Sequence, residues 1–462
     1  MVMVRSRVTR RSFLGKCVGV SAVGACSPWS ASFAAEENVK EKRARWVAMR
    51  EDPVRRMFPG TPDLDKILAL FPRTTGYAAF DPKRIAENIE KLSPRPAIDT
   101  GHPFLDLSVK TALAHIDATF HGDHPFYGVK GYYGNEVHCG FPPTIIAAVD
   151  ALSAWGIQRR AKQLFRYWLA TFVRDDGTIH YLQGPPGKRK DGTSVAEFGQ
   201  LLHTAAILEE RAGAADWWPE RFKPLDRIAE HLLRLRAAAV KGDGLIRGVP
   251  EADKFGTPGG KFFHNNAWAV KGLRRWADLC ERQRAVPTTA IATVRKTCAE
   301  LAEDTLRAIR RTWPADPADW WLPPQVEPLP KPALLAGSRN SDDSSYANYR
   351  YWPELLSSGL LPPEMANRLV DARLSGGGQF CGMTRFADHL DDWPLFDYLD
   401  GLWSLGRKND FLLSLYGHVA YHQAEGHLTA YEQVTFPPGK PAADYCLPCQ
   451  LVAARAARLL VK

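Results

Sequence analysis

Beyond the N-terminal leader, no segment reaches about 18 uninterrupted apolar residues, so no transmembrane segment is expected. Cysteine is sparse, and no second Cys or His pair stands at ligand spacing to complete a zinc site. A basic stripe with interleaved aromatics is also missing, which removes nucleic acid as a partner. Heptads are absent, and the strict alternation that marks half-buried strands is nearly so. Nothing in the chain calls for a metal or an organic cofactor. These absences leave a globular, mostly helical protein.

The charge is milder than it looks. The formal net charge is +9, but Arg5, Arg7, Arg10, Arg11 and Lys16 all fall in the leader, which carries no acids; without it the balance is +4. That leader holds "TRRSFLG" (Thr9 to Gly15), a twin-arginine motif, followed by the weakly apolar "CVGVSAVGACSPWSASFAA". The expectation is a signal peptide over 1–34, cleaved after Ala34 with Ser32 at the −3 position, and a periplasmic or secreted protein. Reading "VGAC" as a lipobox is the alternative and makes Cys26 a lipid anchor. "CLPC" (Cys446 to Cys449) opens the last predicted helix without a βαβ pattern, which favours a structural disulfide or two buried thiols over a redox centre.

What the chain has in excess is tryptophan, fourteen in 462 residues and thirteen of them after the leader. Aromatic-rich loops suit flat amphipathic ligands such as sugar rings, although core packing accounts for many single tryptophans. Residues 35–100 are rich in charge and proline and read as an N-terminal arm with short helices. From 101 to 462, helix-period segments alternate with Gly/Pro/Asp loops. The segments are 102–120, 142–154, 157–173, 195–212, 217–239, 262–282, 286–312, 346–358, 362–374, 393–405, 408–424 and 442–461. A weak repeat recurs at helix ends: "RDDGTIHY", "KGDGLIRG" and "AEGHLTAY" each read as a Gly stop, a short extended stretch and a long loop. Twelve helices in six such pairs predict an all-α (α/α)6 toroid whose long loops gather on one rim. An α-solenoid is the competitor, but its loops are short and regular.

The rim loops hold the candidates for chemistry. The loop before the sixth helix carries Glu251 and Asp253 near Phe262, Phe263, His264, Asn265 and Trp268. The loop before the twelfth carries "AYEQ", with Glu432 between Tyr431 and Gln433. Two carboxyls facing each other across a cleft suit glycoside hydrolysis, one donating a proton to the leaving oxygen and one activating water. Phe and Trp near Glu251 suit an acid; Tyr431 and Gln433 suit the setting of a base. Other rim residues read as substrate walls: Tyr133 and Glu136; Tyr349, Arg350 and Trp352; Arg385, Asp392 and Trp393. Asp392 also fits a helix cap.

Long helix pairs, a mid-chain acid loop and a final "AYEQ" before the closing helix "VTFPPGKPAADYCLPCQLVAARAARL" resemble the six-hairpin glycosidases, the superfamily of glucoamylases and trehalases. The resemblance covers roughly residues 100–462. It implies a base between helices 11 and 12, here Glu432, and an acid between helices 5 and 6, here Glu251. The chain lacks the Trp-Glu-Glu acid motif of glucoamylases, so Asp253 and Glu197 stay open as the acid. The implied activity is an exported, inverting hydrolase of an oligo- or polysaccharide. Two alternatives remain: a polysaccharide lyase using His264 or Tyr349 as base with Arg350 or Arg385, and a non-catalytic glycan-binding protein.

Overall fold

The structure, a computed structural model, describes residues 98–461 except 122–123, 126, 128–139, 183–188, 192–193, 214–217, 253–258, 315–321, 328–345, 381, 387–388, 424–427, 436–440 and 445. The expected signal peptide and nearly all of the arm therefore lie outside the described residues, as do Tyr133, Glu136 and Asp253.

Twelve α-helices run through the described residues: α1 Pro103–Ala118, α2 Pro142–Ala154, α3 Gln158–Phe172, α4 Val195–Ala212, α5 Trp218–Ala239, α6 Phe263–Gln283, α7 Ile291–Thr312, α8 Trp352–Ser358, α9 Pro363–Ser375, α10 Leu395–Ser404, α11 Lys408–Tyr421 and α12 Leu447–Leu460. Local chemistry explains their ends. Proline sits in the first turn of α2, α8, α9 and α12, where its missing N–H costs nothing. Ser194 and Glu197 form a reciprocal capping box on α4, and glycines with positive φ follow α4 and α8.

The packing partners define two rings. α2 packs on α4, α4 on α6, α6 on α8, α8 on α10, α10 on α12, and α12 returns to α2. The second helix of every hairpin thus lies in a closed inner ring, and the first helices, α1, α3, α5, α7, α9 and α11, lie outside it. This is the predicted (α/α)6 toroid. The tightest inner contact is α4 against α6, where two glycines remove the spacing side chains. A Cβ on Gly199 would come within 2.1 Å of the Trp268 carbonyl, and one on Gly272 within 2.4 Å of Gly199 Cα.

Every connection from an outer helix to the next inner helix is long, whereas those from inner to outer are short. The long loops therefore gather at the N-terminal ends of the inner helices. They also carry strands that the absence of alternation did not foretell. Two hairpins, β1–β2 (Phe120–His121, His124–Pro125) and β3–β4 (His180–Leu182, Arg189–Asp191), rise from the first two. A five-stranded antiparallel sheet joins the loops before α10 and α12: β5 Gln379–Phe380, β6 Met383–Phe386, β7 His389–Asp391, β8 Tyr431–Thr435 and β9 Pro441–Asp444, in chain order. Its β7–β8 register sets Asp391 opposite Gln433 and Leu390 opposite Val434.

Candidate active site

Five rim loops converge on one cluster. Tyr127, from the loop before α2, donates its hydroxyl to Glu432 Oε1 at 2.9 Å. Its backbone carbonyl accepts from Leu447 N at 2.7 Å, so the same residue also holds the start of α12. Glu432 stands on β8, partly exposed. Burial pushes its carboxyl up to about 7 against the lowering bond from Tyr127. Its carbonyl is anchored to His422 Nε2 at 3.2 Å, and the Tyr431 N–H donates to the His422 carbonyl at 3.1 Å. The Tyr127 hydroxyl thus reaches Glu432 from a different rim loop. Tyr431 packs against Met383, Leu390 and Val434 of the sheet.

Arg350 organises the opposite side. It lies in a π-helical turn, Ala347–Tyr351, that leads into α8; the sequence pattern reads this stretch as ordinary helix. The widened turn brings consecutive bulky side chains into the rim, and such turns recur at functional sites. The guanidinium is fully buried and divides its donors among three carboxyls: Nη1 to Glu251 at 2.5 Å, Nε to Glu354 at 2.6 Å and Nη2 to Glu197 at 3.1 Å. Its other face lies over the Trp393 ring, 4.7 Å from the centroid. One cation thus stands among three carboxyls. Burial raises Glu354 to about 8, with Arg350 pulling the other way. Between the two sides sits Asp391, buried at the end of β7. Burial first, then the neighbouring Asp392 and Glu251 charges, push it well above the usual range, against bonds from the Trp393 N–H and the Tyr349 hydroxyl.

The cluster thus contains Glu251, Glu432, Tyr349, Arg350 and Trp393 from the sequence expectations, joined by Tyr127, Asp391 and Glu354. Glu354 was legible, since it stands four residues after Arg350 on a helix, the spacing of a side-chain ion pair. Tyr127 and Asp391 carry no local signal of their roles. Of the three carboxyls on Arg350, Glu251 is the most open, with its side chain 8% exposed against 0% for Glu197.

Several of the other expected substrate contacts are buried in this structure. Glu197 is sealed, spending its carboxylate on the α4 cap, the Ala252 N–H and Arg350. Asn265 is equally closed: it accepts from Ala196 N at 3.0 Å and donates to the Val249 carbonyl at 2.9 Å, tying the Glu251 loop to α4. His264 Nε2 meets the Pro250 carbonyl at 3.1 Å, the ring stacks on Tyr351 at 4.5 Å, and burial drives it down to about 3. Trp352 is core, its Nε1 on the Leu322 carbonyl at 3.1 Å. Asp392 is neither a wall nor the cap of α10. It accepts from Thr384 N at 2.7 Å and pairs with His418 Nδ1 at 2.9 Å. Trp268 lines the ring interior rather than the rim. Arg385 lies on β6, half-buried, with its backbone tied to Gly378 and Asn348. Cys446 and Cys449 are buried free thiols, one of the two forms expected.

The closed ring of inner helices is the defining feature of an (α/α)6 toroid. No family profile and no curated protein matches the sequence. Solved structures do match. A wild-type glycosidase superposes with a TM-score of 0.54 at 13% identity, covering 78% of this chain and 97% of that one. A variant of a glycosidase in complex with glucose gives 0.53 at 13% identity, with the same two coverages. The GH63 mannosylglycerate hydrolase from Thermus thermophilus, in complex with Tris, gives 0.52 at 11% identity over 77% of this chain and all of that one. At such identities the likeness is one of fold.

Proposed function

We propose that this protein is an exported glycoside hydrolase that works with two carboxyls and inverts the anomeric centre, with Glu432 as base and Glu251 as acid. The observation that supports this most is the pairing of two unlike carboxyl environments on one rim. Glu432 accepts from a neutral hydroxyl and takes up a proton near neutrality. Glu251 is the most open of three carboxyls gathered on one buried guanidinium. Trp393 and Tyr349 beside them suit the apolar face of a sugar ring. In this scheme Glu432 takes a proton from a water that attacks the anomeric carbon. Glu251 gives a proton to the departing glycosidic oxygen, and the bond from carbon to that oxygen breaks. Asp391 and Tyr349, between the two, supply hydrogen bonds to sugar hydroxyls. The names of the structural neighbours favour a carbohydrate substrate. Export rests on the twin-arginine leader alone, with release at Ala34 favoured over lipidation at Cys26.

The lyase reading is the less favoured of the two. His264 is sealed and hydrogen-bonded to a carbonyl, and the Tyr349 hydroxyl is pushed well above its usual pKa by burial. Arg350 is committed to three carboxyls and is not open to neutralise a uronic acid.

The test is a glycan panel with purified mature protein and its Glu432→Gln variant, following reducing ends, ultraviolet absorbance and the anomeric configuration of fresh product by NMR. New reducing ends of inverted configuration that fall at least about a thousandfold in the variant are expected. Unsaturated, ultraviolet-absorbing products that persist in the variant would overturn the hydrolytic reading, and no turnover with retained binding would make the protein a glycan receptor.

A further inference from the structure

The backbone that delivers Glu432 to the rim is held in an unfavourable shape. Leu428, just ahead of β8, has a φ of 56°; among the described residues only Arg284 shares that left-handed region without being glycine. A side chain disfavours this conformation, so it persists only where the surrounding contacts impose it. Two buried polar side chains supply such contacts, one on each side of residues 428–432.

The first is Gln450, fully buried on α12. Its Nε2 donates to the Leu428 carbonyl at 2.9 Å, and its Oε1 accepts from the Ala430 N–H at 2.8 Å. The side-chain amide thus bonds this stretch as a neighbouring strand would. Because a backbone N–H only donates and a carbonyl only accepts, the amide has one orientation here. Oε1 also meets His115 Nδ1 of α1 at 3.0 Å.

The second is His422, fully buried directly after α11. Its Nε2 lies 3.2 Å from the Glu432 carbonyl, which can only accept, so that nitrogen carries the proton. Its own carbonyl accepts from the Tyr431 N–H at 3.1 Å. Behind the ring stands Asp392, with Oδ2 3.6 Å from His422 Nδ1 and 2.9 Å from His418 Nδ1. Asp392 Oδ1 accepts from Thr384 N on β6 at 2.7 Å, and the His418 and His422 rings stack at 5.6 Å. The imidazole is therefore wedged between the sheet and α11.

The same helix gauges both partners of the key hydrogen bond. Leu447 N of α12 donates to the Tyr127 carbonyl at 2.7 Å, and Gln450, one turn later, holds the start of the Glu432 segment. We propose that Gln450 and His422 are positioning residues for Glu432, clamping the entry to β8 so that the Glu432 carboxyl meets the Tyr127 hydroxyl. The catalytic consequence rests on the reading of Glu432 as the base. Both residues are sealed from the rim and act through backbone, not on substrate.

The experiment compares wild type with His422→Leu, His422→Gln and Gln450→Leu. It records kcat, KM and the pH profile on the glycan that the panel identifies, per mole of folded protein, and a crystal structure of each. Both leucine variants are expected to lose about a hundredfold in kcat, the cost of a misplaced group, with KM within about twofold. The acidic limb of kcat/KM should move upward as the carboxyl loses the Tyr127 donor, and the Tyr127–Glu432 separation should exceed hydrogen-bond reach. His422→Gln, whose Nε2 can replace the ring donor, should recover kcat to within about tenfold of wild type. A role in stability alone would lower the yield of folded protein and leave kcat and the limb in place. That result, a raised KM at constant kcat, or no rescue by glutamine overturns the proposal. Should His422→Leu fail to fold, Gln450→Leu decides. If Glu432→Gln keeps wild-type turnover, the base reading fails by itself, and the crystal structures still decide the clamp. An unchanged Tyr127–Glu432 contact in the leucine variants overturns it.

Discussion

At the scale of single residues, the tension in this site lies in Glu432. A base must be ionised to work, yet burial holds this carboxyl near 7, and Tyr127 supplies the bond that keeps it from rising further. If Glu432 is the base, kcat/KM falls about tenfold per pH unit below about 7. Removing the donor with Tyr127→Phe should move that limb upward by about one to two units, the size of a lost hydrogen bond to a charged group. A limb that stays in place, or activity that disappears above 7 instead, would recast Glu432 as the acid. Arg350 makes a different prediction. Arg350→Met leaves Glu197 and Glu251 buried without their cation, and should cost about 3–5 kcal/mol of unfolding free energy at neutral pH. That loss should shrink in acid, where the carboxyls protonate. Glu432 and Glu251 stood out in the sequence because each lies in a loop that leads to a helix start. Tyr127 did not: it meets Glu432 across 305 residues of chain, and nothing within "HPFYG" announces the partner.

At the scale of elements, the helices were readable and the strands were not, for one reason. A helix declares itself over three or four turns of its own periodicity, so the expected segments match α1–α12 closely. Strands of two to five residues have too few positions to alternate, and their existence depends on partners far away. β7 forms because β8, from a different rim loop, pairs with it through Leu390 and Val434. The same blindness hid the role of α6's first turn. His264, Asn265 and Asn266 look like polar ligands at a rim, but their side chains stand in for missing backbone partners. Asn266 takes the Ile246 N–H at 2.8 Å and gives to the Ile246 carbonyl at 3.1 Å. Asn265 does the same for Ala196 and Val249. Asn265→Ala should therefore cost about 1–3 kcal/mol in a urea titration by orphaning two backbone groups. If Glu251 is the acid, the variant should also lower kcat more than it raises KM, because it loosens the loop that carries Glu251. A raised KM at constant kcat would instead restore Asn265 as a substrate contact.

At the scale of the whole molecule, closing a ring of six helices forces ionisable groups into the interior, and their shifts pull stability in opposite directions with pH. Asp150 closes the α12–α2 seam by pairing with Arg455 and Arg211. Burial raises its carboxyl, but the two guanidinium charges outweigh that and bring it to about 2, from 3.8. A depressed carboxyl contributes stability that is complete above its unfolded pKa and lost as pH falls towards 2, here about 2 kcal/mol. Glu354 acts in the reverse sense. Raised from 4.5 to about 8, it stays protonated in the folded protein while the unfolded chain ionises. Rising pH between those values therefore favours unfolding, and Glu432 and Asp391, also raised, add to that slope. The two trends meet at about pH 4–5, where unfolding free energy from urea titrations should peak before declining steadily to about pH 8. A curve that climbs through neutrality would mean the rim carboxyls are ionised in the folded protein. If the decline is found, and Glu432 must ionise for turnover, the pH of greatest stability lies below that of greatest activity. Hydroxyls of a bound sugar that donate to Asp391 and Glu432 favour the ionised carboxyls and offset part of that slope. A substrate analogue should accordingly stabilise the protein more at about pH 7 than at about pH 5.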